Sequence, residues 1–146
     1  MTGDERIAVV TGASAGIGEA IARRLAARGW RCVLVARGED RLRALAAEIG
    51  GEVEPCDVGD RDAVEALAAR ILERHPAVHL LVNNAGIPAR GNFLTVDLDR
   101  IRRVMEVNYL GGVWCTRALM PGLRAAAEHG GAHVVNLVSV AGTAAF

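Results

Sequence analysis

Five short runs of mostly apolar, often β-branched residues alternate along the chain with four longer stretches of helical periodicity. The runs cover residues 7–11, 32–36, 52–56, 78–83 and 132–138. Between the first two, residues 17–28 repeat Ile17, Ala20, Ile21, Arg24 and Leu25 at three- and four-residue spacing, and Gly29 stops the pattern. Residues 39–49 place Leu42, Leu45, Ala46 and Ile49 on one helical face, and Gly50-Gly51 breaks it. Residues 60–73 carry the stripe Val64, Leu67, Ala68, Ile71 and end before Pro76. A fourth helix is expected from 97 to about 119, with Pro121 and Gly122 suited to its end. Strands that are apolar on both faces and separated by helices imply parallel βαβ units with right-handed crossovers. The expected fold class is therefore α/β, a doubly wound parallel sheet of five strands and four helices. It fills one domain over residues 1–146.

Composition narrows the function. The chain is 51% hydrophobic and 23% charged, enough to bury a core. Its 17 basic and 17 acidic residues cancel, so a polyanion such as nucleic acid is not expected as a partner. All 17 basic residues are arginines, and the single tyrosine is Tyr109. A P-loop, which needs Gly-Lys-Ser/Thr, is excluded within these residues. Cys32, Cys56 and Cys115 are widely spaced and read as small apolar residues in a reducing cytosol. His75, His79, His129 and His133 lack partners at metal spacing, so no metal is expected. Asp4, Glu5 and Arg6 precede the first apolar run, which argues against a signal peptide. The apolar runs are too short to span a membrane, so a cytoplasmic protein is expected.

The segment Thr11-Gly12-Ala13-Ser14-Ala15-Gly16-Ile17-Gly18 lies between the first strand and the first helix. Glycines there allow a tight turn and a close approach of backbone to a pyrophosphate, and the helix N-terminus adds free N–H groups and positive dipole. The spacing is Gly-x3-Gly-x-Gly rather than the commonest dinucleotide fingerprint. The bland alternative is a turn that only packs a helix on a sheet.

An acid that reads a ribose 2′-hydroxyl would stand at the end of the second strand. This chain has Ala36 and then Arg37. An arginine there suits a 2′-phosphate, which favours NADP(H) over NAD(H), although Arg37 could equally be a solvated surface arginine. Asp57-Val58 ends the third strand, within reach of an adenine edge. Asp57 could also begin the turn leading to Asp60, a candidate helix cap.

Four features now coincide: the glycine segment at 11–18, Asn83-Asn84-Ala85-Gly86 after the fourth strand, Asn108 in the long helix, and Ser139 after the fifth strand. Together they resemble the short-chain dehydrogenase/reductase family in its compact branch, over residues 7–146. The resemblance implies that Gly12, Ser14, Gly16, Ile17 and Gly18 hold the pyrophosphate and ribose, that Arg37 meets the 2′-phosphate, and that Asp57 and Val58 contact adenine. It implies that Asn84, Ala85 and Gly86 line the cofactor while Asn83 ties the central strands together. Ser139 matches the serine that bonds the substrate carbonyl oxygen, and Asn108 the asparagine that supports a proton relay. From the residues alone, both read as structural: Asn108 as an amide satisfying a nearby backbone group, Ser139 as a strand end.

The implied activity is hydride transfer between a nicotinamide and a small-molecule carbonyl or alcohol, in an enzyme that resembles homo-oligomers of the family. The chain departs from the pattern in one respect. The family's acid/base tyrosine and the lysine one helical turn later lie beyond the serine, whereas this chain has no lysine and its only tyrosine lies upstream. Tyr109 is adjacent to Asn108 and is not expected to share its helical stripe. The expectation is a chain that stops before the Tyr-x-x-x-Lys segment and is inactive alone. The alternative is a non-catalytic nucleotide-binding module.

Overall fold

The computed structural model describes residues 5–139. Strand β1 (Ile7–Thr11) lies at the centre of a five-stranded sheet, ordered β3-β2-β1-β4-β5. The others are β2 (Arg31–Ala36), β3 (Glu52–Pro55), β4 (Leu80–Asn83) and β5 (His133–Asn136), all paired in parallel. The chain runs outward through helices α1 (Gly16–Ala26) and α2 (Glu39–Ile49) to β3, then crosses back through α3 (Arg61–Arg74) to β4. Strand order therefore reverses between β1 and β4, and a crevice opens there beyond the strand ends. No helix among the described residues is long and apolar enough to cross a membrane.

Alternation along the strands builds two cores. Val9, Val33, Val35 and Leu81 face α3 and the last helix, together with Val64, Leu67, Ile71 and Leu119. Ala8, Val10, Leu34 and Val82 face α1 and α2, with Ala22, Leu42 and Leu45. The register explains the sorting, since Val9 pairs with Val33 and Leu81 while Val10 pairs with Leu34 and Val82. Both faces of β1 are covered, which is what an all-parallel sheet requires.

The α3 stripe is buried as its spacing predicts. Along α1, however, Gly18 and Ala22 are buried while Ile17 is exposed. The long fourth helix differs more from expectation. It consists of α4 (Leu98–Met105), a π-helical turn (Glu106–Leu110) and α5 (Gly111–Ala127), running on through Pro121 and Gly122. Tertiary packing overrides the proline. The Gly122 carbonyl accepts from the Val78 N–H at 3.0 Å, and a Cβ at Gly122 would stand 2.5 Å from Leu72 Cδ2 of α3 and 3.1 Å from Val78 Cγ2, so a side chain here would have to push both neighbours aside. The fifth strand is also shorter than expected and ends at Asn136.

The two sheet edges are treated differently. On β3, Glu54 is buried and bonds Arg70 at 2.9 Å, while Glu52 bonds His75 at 2.9 Å and Arg74 at 3.2 Å. On β5 (His133–Asn136), Val134 and Val135 are about 40% exposed, and the strand itself carries no Asp, Glu, Lys or Arg.

Candidate functional site

A cleft of about 690 Å³ lies over the C-terminal ends of β1, β2, β3 and β4, at the reversal of strand order. One wall is the turn from β1 into α1. Gly12 (φ 67°) and Gly16 (φ 60°) take left-handed conformations that L side chains rarely adopt. A Cβ on Gly12 would stand 2.7 Å from Asn84 Nδ2, and one on Gly18 would overlap the Gly12 carbonyl and Asn84. Gly16, by contrast, has nothing within 4 Å of its Cβ position. It is an open point in the turn, between the cleft residues Ala15 and Ile17.

Both helices that start at this cleft lack a side-chain cap: α1 begins after Ala15 and α2 after Gly38. Away from it, Asp60 caps α3 and Asp97 caps α4. The first N–H groups of α1 are thus left without a protein side-chain acceptor at a glycine-lined opening. An uncapped helix start of this kind suits an anion, and its glycine lining leaves room for a pyrophosphate.

The opposite wall is the end of β4, locked to β1. Buried Thr11 accepts from the Asn84 and Ala85 N–H groups through Oγ1, both at 3.0 Å. The Asn84 amide donates back to the Thr11 carbonyl at 2.9 Å and to the Gly12 carbonyl at 3.3 Å. Asn83 donates to Asn136 Oδ1 at 2.8 Å and to Thr116 Oγ1 at 3.0 Å, which ties β4 to β5 and α5.

The third wall combines Arg37 and Asp57. Arg37 is exposed and forms no ion pair with any described residue. The Asp57 carboxylate accepts from the Gly59 N–H at 2.9 Å and pairs with Arg103 of α4. Cys56 lies beside it, and burial pushes its thiol up to about 11. Cys32 and Cys115 are raised by the same cause, to about 11 and about 12.

Nine of the residues expected around a cofactor line this one cleft: Gly12, Ser14, Ile17, Arg37, Asp57, Val58, Asn84, Ala85 and Gly86. Gly16 and Gly18 do not, since Gly18 is buried under the turn. Asn108 lies on the π-helical turn. Its Oδ1 accepts from the Ile87 N–H at 2.8 Å and its Nδ2 donates to the Ile87 carbonyl at 2.9 Å. Both ends of the side-chain amide thus help hold the segment after Gly86. Tyr109, expected off the Asn108 stripe, borders the same groove of about 610 Å³ between the helical rod and β5. Ser139 is exposed beyond β5, and the residues that follow it from 140 lie outside the described residues.

Sequence reading missed Thr11, Ala15, Cys56, Ile87, Val107 and Arg103. All but Val107 and Arg103 sit at or just beyond a strand end, so extending each parallel strand by a few residues would have found them. Arg103 carried no signal, because its partner is 46 positions away in sequence. The four histidines sit around a pocket at the opposite end of the sheet. No group of three or more His, Cys, Asp or Glu among the described residues could hold a metal ion.

The family model described as short chain dehydrogenase matches residues 6–146. The chain belongs to the short-chain dehydrogenase family. It is 36% identical over 94% of its length to dehydrogenase/reductase SDR family member 7B of Danio rerio, covering 47% of that protein. It is 38% identical over 97% of its length to a putative ketoacyl reductase of Streptomyces coelicolor, covering 56% of it. Among solved structures, it resembles a short-chain dehydrogenase from Streptomyces avermitilis with a TM-score of 0.90 and 35% identity, over 100% of this chain and 53% of that one. It also resembles an actinorhodin polyketide ketoreductase crystallised with NADPH, with a TM-score of 0.89 and 36% identity, over 98% of this chain and 56% of that one. The chain thus spans about half the length of the curated relatives it matches. This chain carries the family's fold in part, a five-stranded Rossmann-like parallel sheet.

Proposed function

We propose that residues 1–146 form the NADP(H)-binding domain of an oxidoreductase that acts on a small-molecule carbonyl or alcohol. The observation that carries this reading is the glycine-lined, uncapped start of α1, which opens on the same cleft as the unpaired Arg37. Gly12, Ser14, Gly16 and Ile17 would receive the pyrophosphate and ribose, with Gly18 keeping the turn close to β4. Arg37 would pair with an adenosine 2′-phosphate, while Asp57 and Val58 would border adenine. Asn84, Ala85 and Gly86 would flank the nicotinamide half. The actinorhodin polyketide ketoreductase crystallised with NADPH supports the same choice of cofactor.

A bound nicotinamide supplies or takes up hydride at a carbon of the substrate. This chain's own contribution to that chemistry is positional. Ser139 would orient the substrate oxygen through its hydroxyl, and Asn108 would fix the loop after Gly86 through Ile87. Proton transfer to the oxygen needs a positioned acid, and these 146 residues contain no lysine. Tyr109 is exposed on the π-helical turn and is not assigned that role. Alone, the chain binds cofactor without turnover at an enzyme-like rate. A homo-oligomer for the whole enzyme belongs to the same proposal and rests on the family resemblance alone.

Fluorescence titration with NADPH and NADH, for wild type and Arg37→Ala, tests the reading. A charge-assisted bond to phosphate is worth about 1.5–3 kcal/mol, so the wild type should prefer NADPH by roughly 10- to 150-fold. Arg37→Ala should remove most of that preference. Equal wild-type affinities for the two cofactors would overturn it.

A further inference from the structure

The Asp57 carboxylate poses a problem for a cleft that takes a doubly phosphorylated adenosine. It lines the same cleft as Arg37, and a bare carboxylate there would repel a 2′-phosphate. The fold answers this from outside the cleft. Arg103, in the last turn of α4, crosses to pair with Asp57 Oδ2 and also donates to the Gly59 carbonyl at 3.3 Å. Its other charged neighbour is Glu106, at 3.5 Å. Arg103 does not line the cleft. Its side chain is 30% exposed, so the pair is partly withdrawn from water and is screened less than a surface pair.

Resting on the proposed reading of the cleft, we infer that Arg103 is a positioning residue for cofactor specificity. It neutralises Asp57, so that the adenosine end of the cleft presents the charge of Arg37 alone. It also clamps the turn after β3 against α4, which holds Asp57 and Val58 in the wall. The two contributions separate experimentally. A clamp serves both dinucleotides alike, because both carry adenine. Charge neutralisation serves NADPH selectively, because only NADPH carries the 2′-phosphate.

Dissociation constants of NADPH and NADH should be measured by fluorescence for wild type, Arg103→Met, Arg103→Lys, Asp57→Asn and the double variant Arg103→Met/Asp57→Asn. Circular dichroism checks the fold of each. Arg103→Met should lower the NADPH:NADH affinity ratio by roughly three- to tenfold, chiefly by weakening NADPH, and added salt should shrink the loss. Arg103→Lys, which keeps the charge, should stay near wild type. Asp57→Asn alone should raise the ratio, which keeps the test decisive if Arg103→Met does not fold. The double variant should return the ratio to the wild-type value although both clamp partners are gone. An unchanged ratio in a folded Arg103→Met chain, or in Asp57→Asn, would overturn the inference and leave the proposed function intact. So would a double variant that stays low. A wild-type chain that binds neither dinucleotide would overturn the proposed function and this inference together.

Discussion

Thr11 and Asn84 bond each other twice, hydroxyl to backbone N–H at 3.0 Å and side-chain amide to backbone carbonyl at 2.9 Å. Through this pair the glycine turn after β1 and the loop after β4 move as one wall of the cleft. Thr11→Val keeps the shape and removes the acceptor for the Asn84 and Ala85 N–H groups. The Asn84 and Ala85 N–H groups are half-buried at the cleft wall, so the loss should be about 1 kcal/mol, read by urea unfolding. Thr11→Ser keeps the hydroxyl and should lie much closer to wild type. Equal stability of Thr11→Val and wild type would show that the lock is not structural.

Two glycines of the turn, Gly16 and Gly18, should separate by role. Gly16→Ala meets open space and carries only the left-handed backbone penalty, about 1–2 kcal/mol. Its added methyl stands at the uncapped start of α1, so dinucleotide affinity should fall in a chain that stays folded. Gly18→Ala drives a Cβ into the Gly12 carbonyl and Asn84, so thermal stability should fall by at least the 1–3 kcal/mol typical of overpacking. Paired melting and titration curves check both. Identical behaviour of the two variants would contradict the division between a packing glycine and an opening glycine.

Much of this was legible before the fold. The stripe Val64, Leu67, Ala68, Ile71 is buried as spaced, because one face of α3 meets the sheet along its length. The cleft residues were legible because parallel strands bring their C-terminal ends to one side. The end of the long helix was not. Pro121 reads as a stop, yet the helix runs on and packs at Gly122 against Leu72 and Val78, over 40 residues away. The π-helical turn at Glu106–Leu110 was equally hidden, since heptad-like spacing assumes one uniform period. Asn108 faced two readings in sequence, and in the fold both ends of its side-chain amide bond the Ile87 backbone.

The cysteines set an alkaline limit. Cys32 and Cys56 are raised from 9.0 to about 11 and Cys115 to about 12, in each case chiefly by burial. The native state therefore holds its protons longer than the unfolded chain does. The contribution is complete below pH 9 and is lost as pH rises through about 11. Denaturant midpoints taken from pH 8 upward should fall over that window, and a variant with Cys32, Cys56 and Cys115 replaced by alanine should fall less. Thiol reagents at neutral pH should label the chain only as fast as it opens. Rapid labelling of the folded chain would contradict the burial.

Strand β5 should make this 146-residue chain associate. Its Val134 and Val135 are exposed on an edge without charge, unlike the Glu-lined edge at β3. Light scattering should find species above the monomer mass, and Val135→Lys should shift them toward monomer. A monodisperse wild-type monomer would refute this.

Amide hydrogen exchange of the chain with saturating NADP⁺ tests the central claim most directly. Slowed exchange should map to residues 12–18, 37–38, 57–58 and 84–87, the walls of the cleft at the C-terminal strand ends. A footprint at the other end of the sheet, around Trp30, His79 and His133, would contradict the account, as would the absence of any footprint.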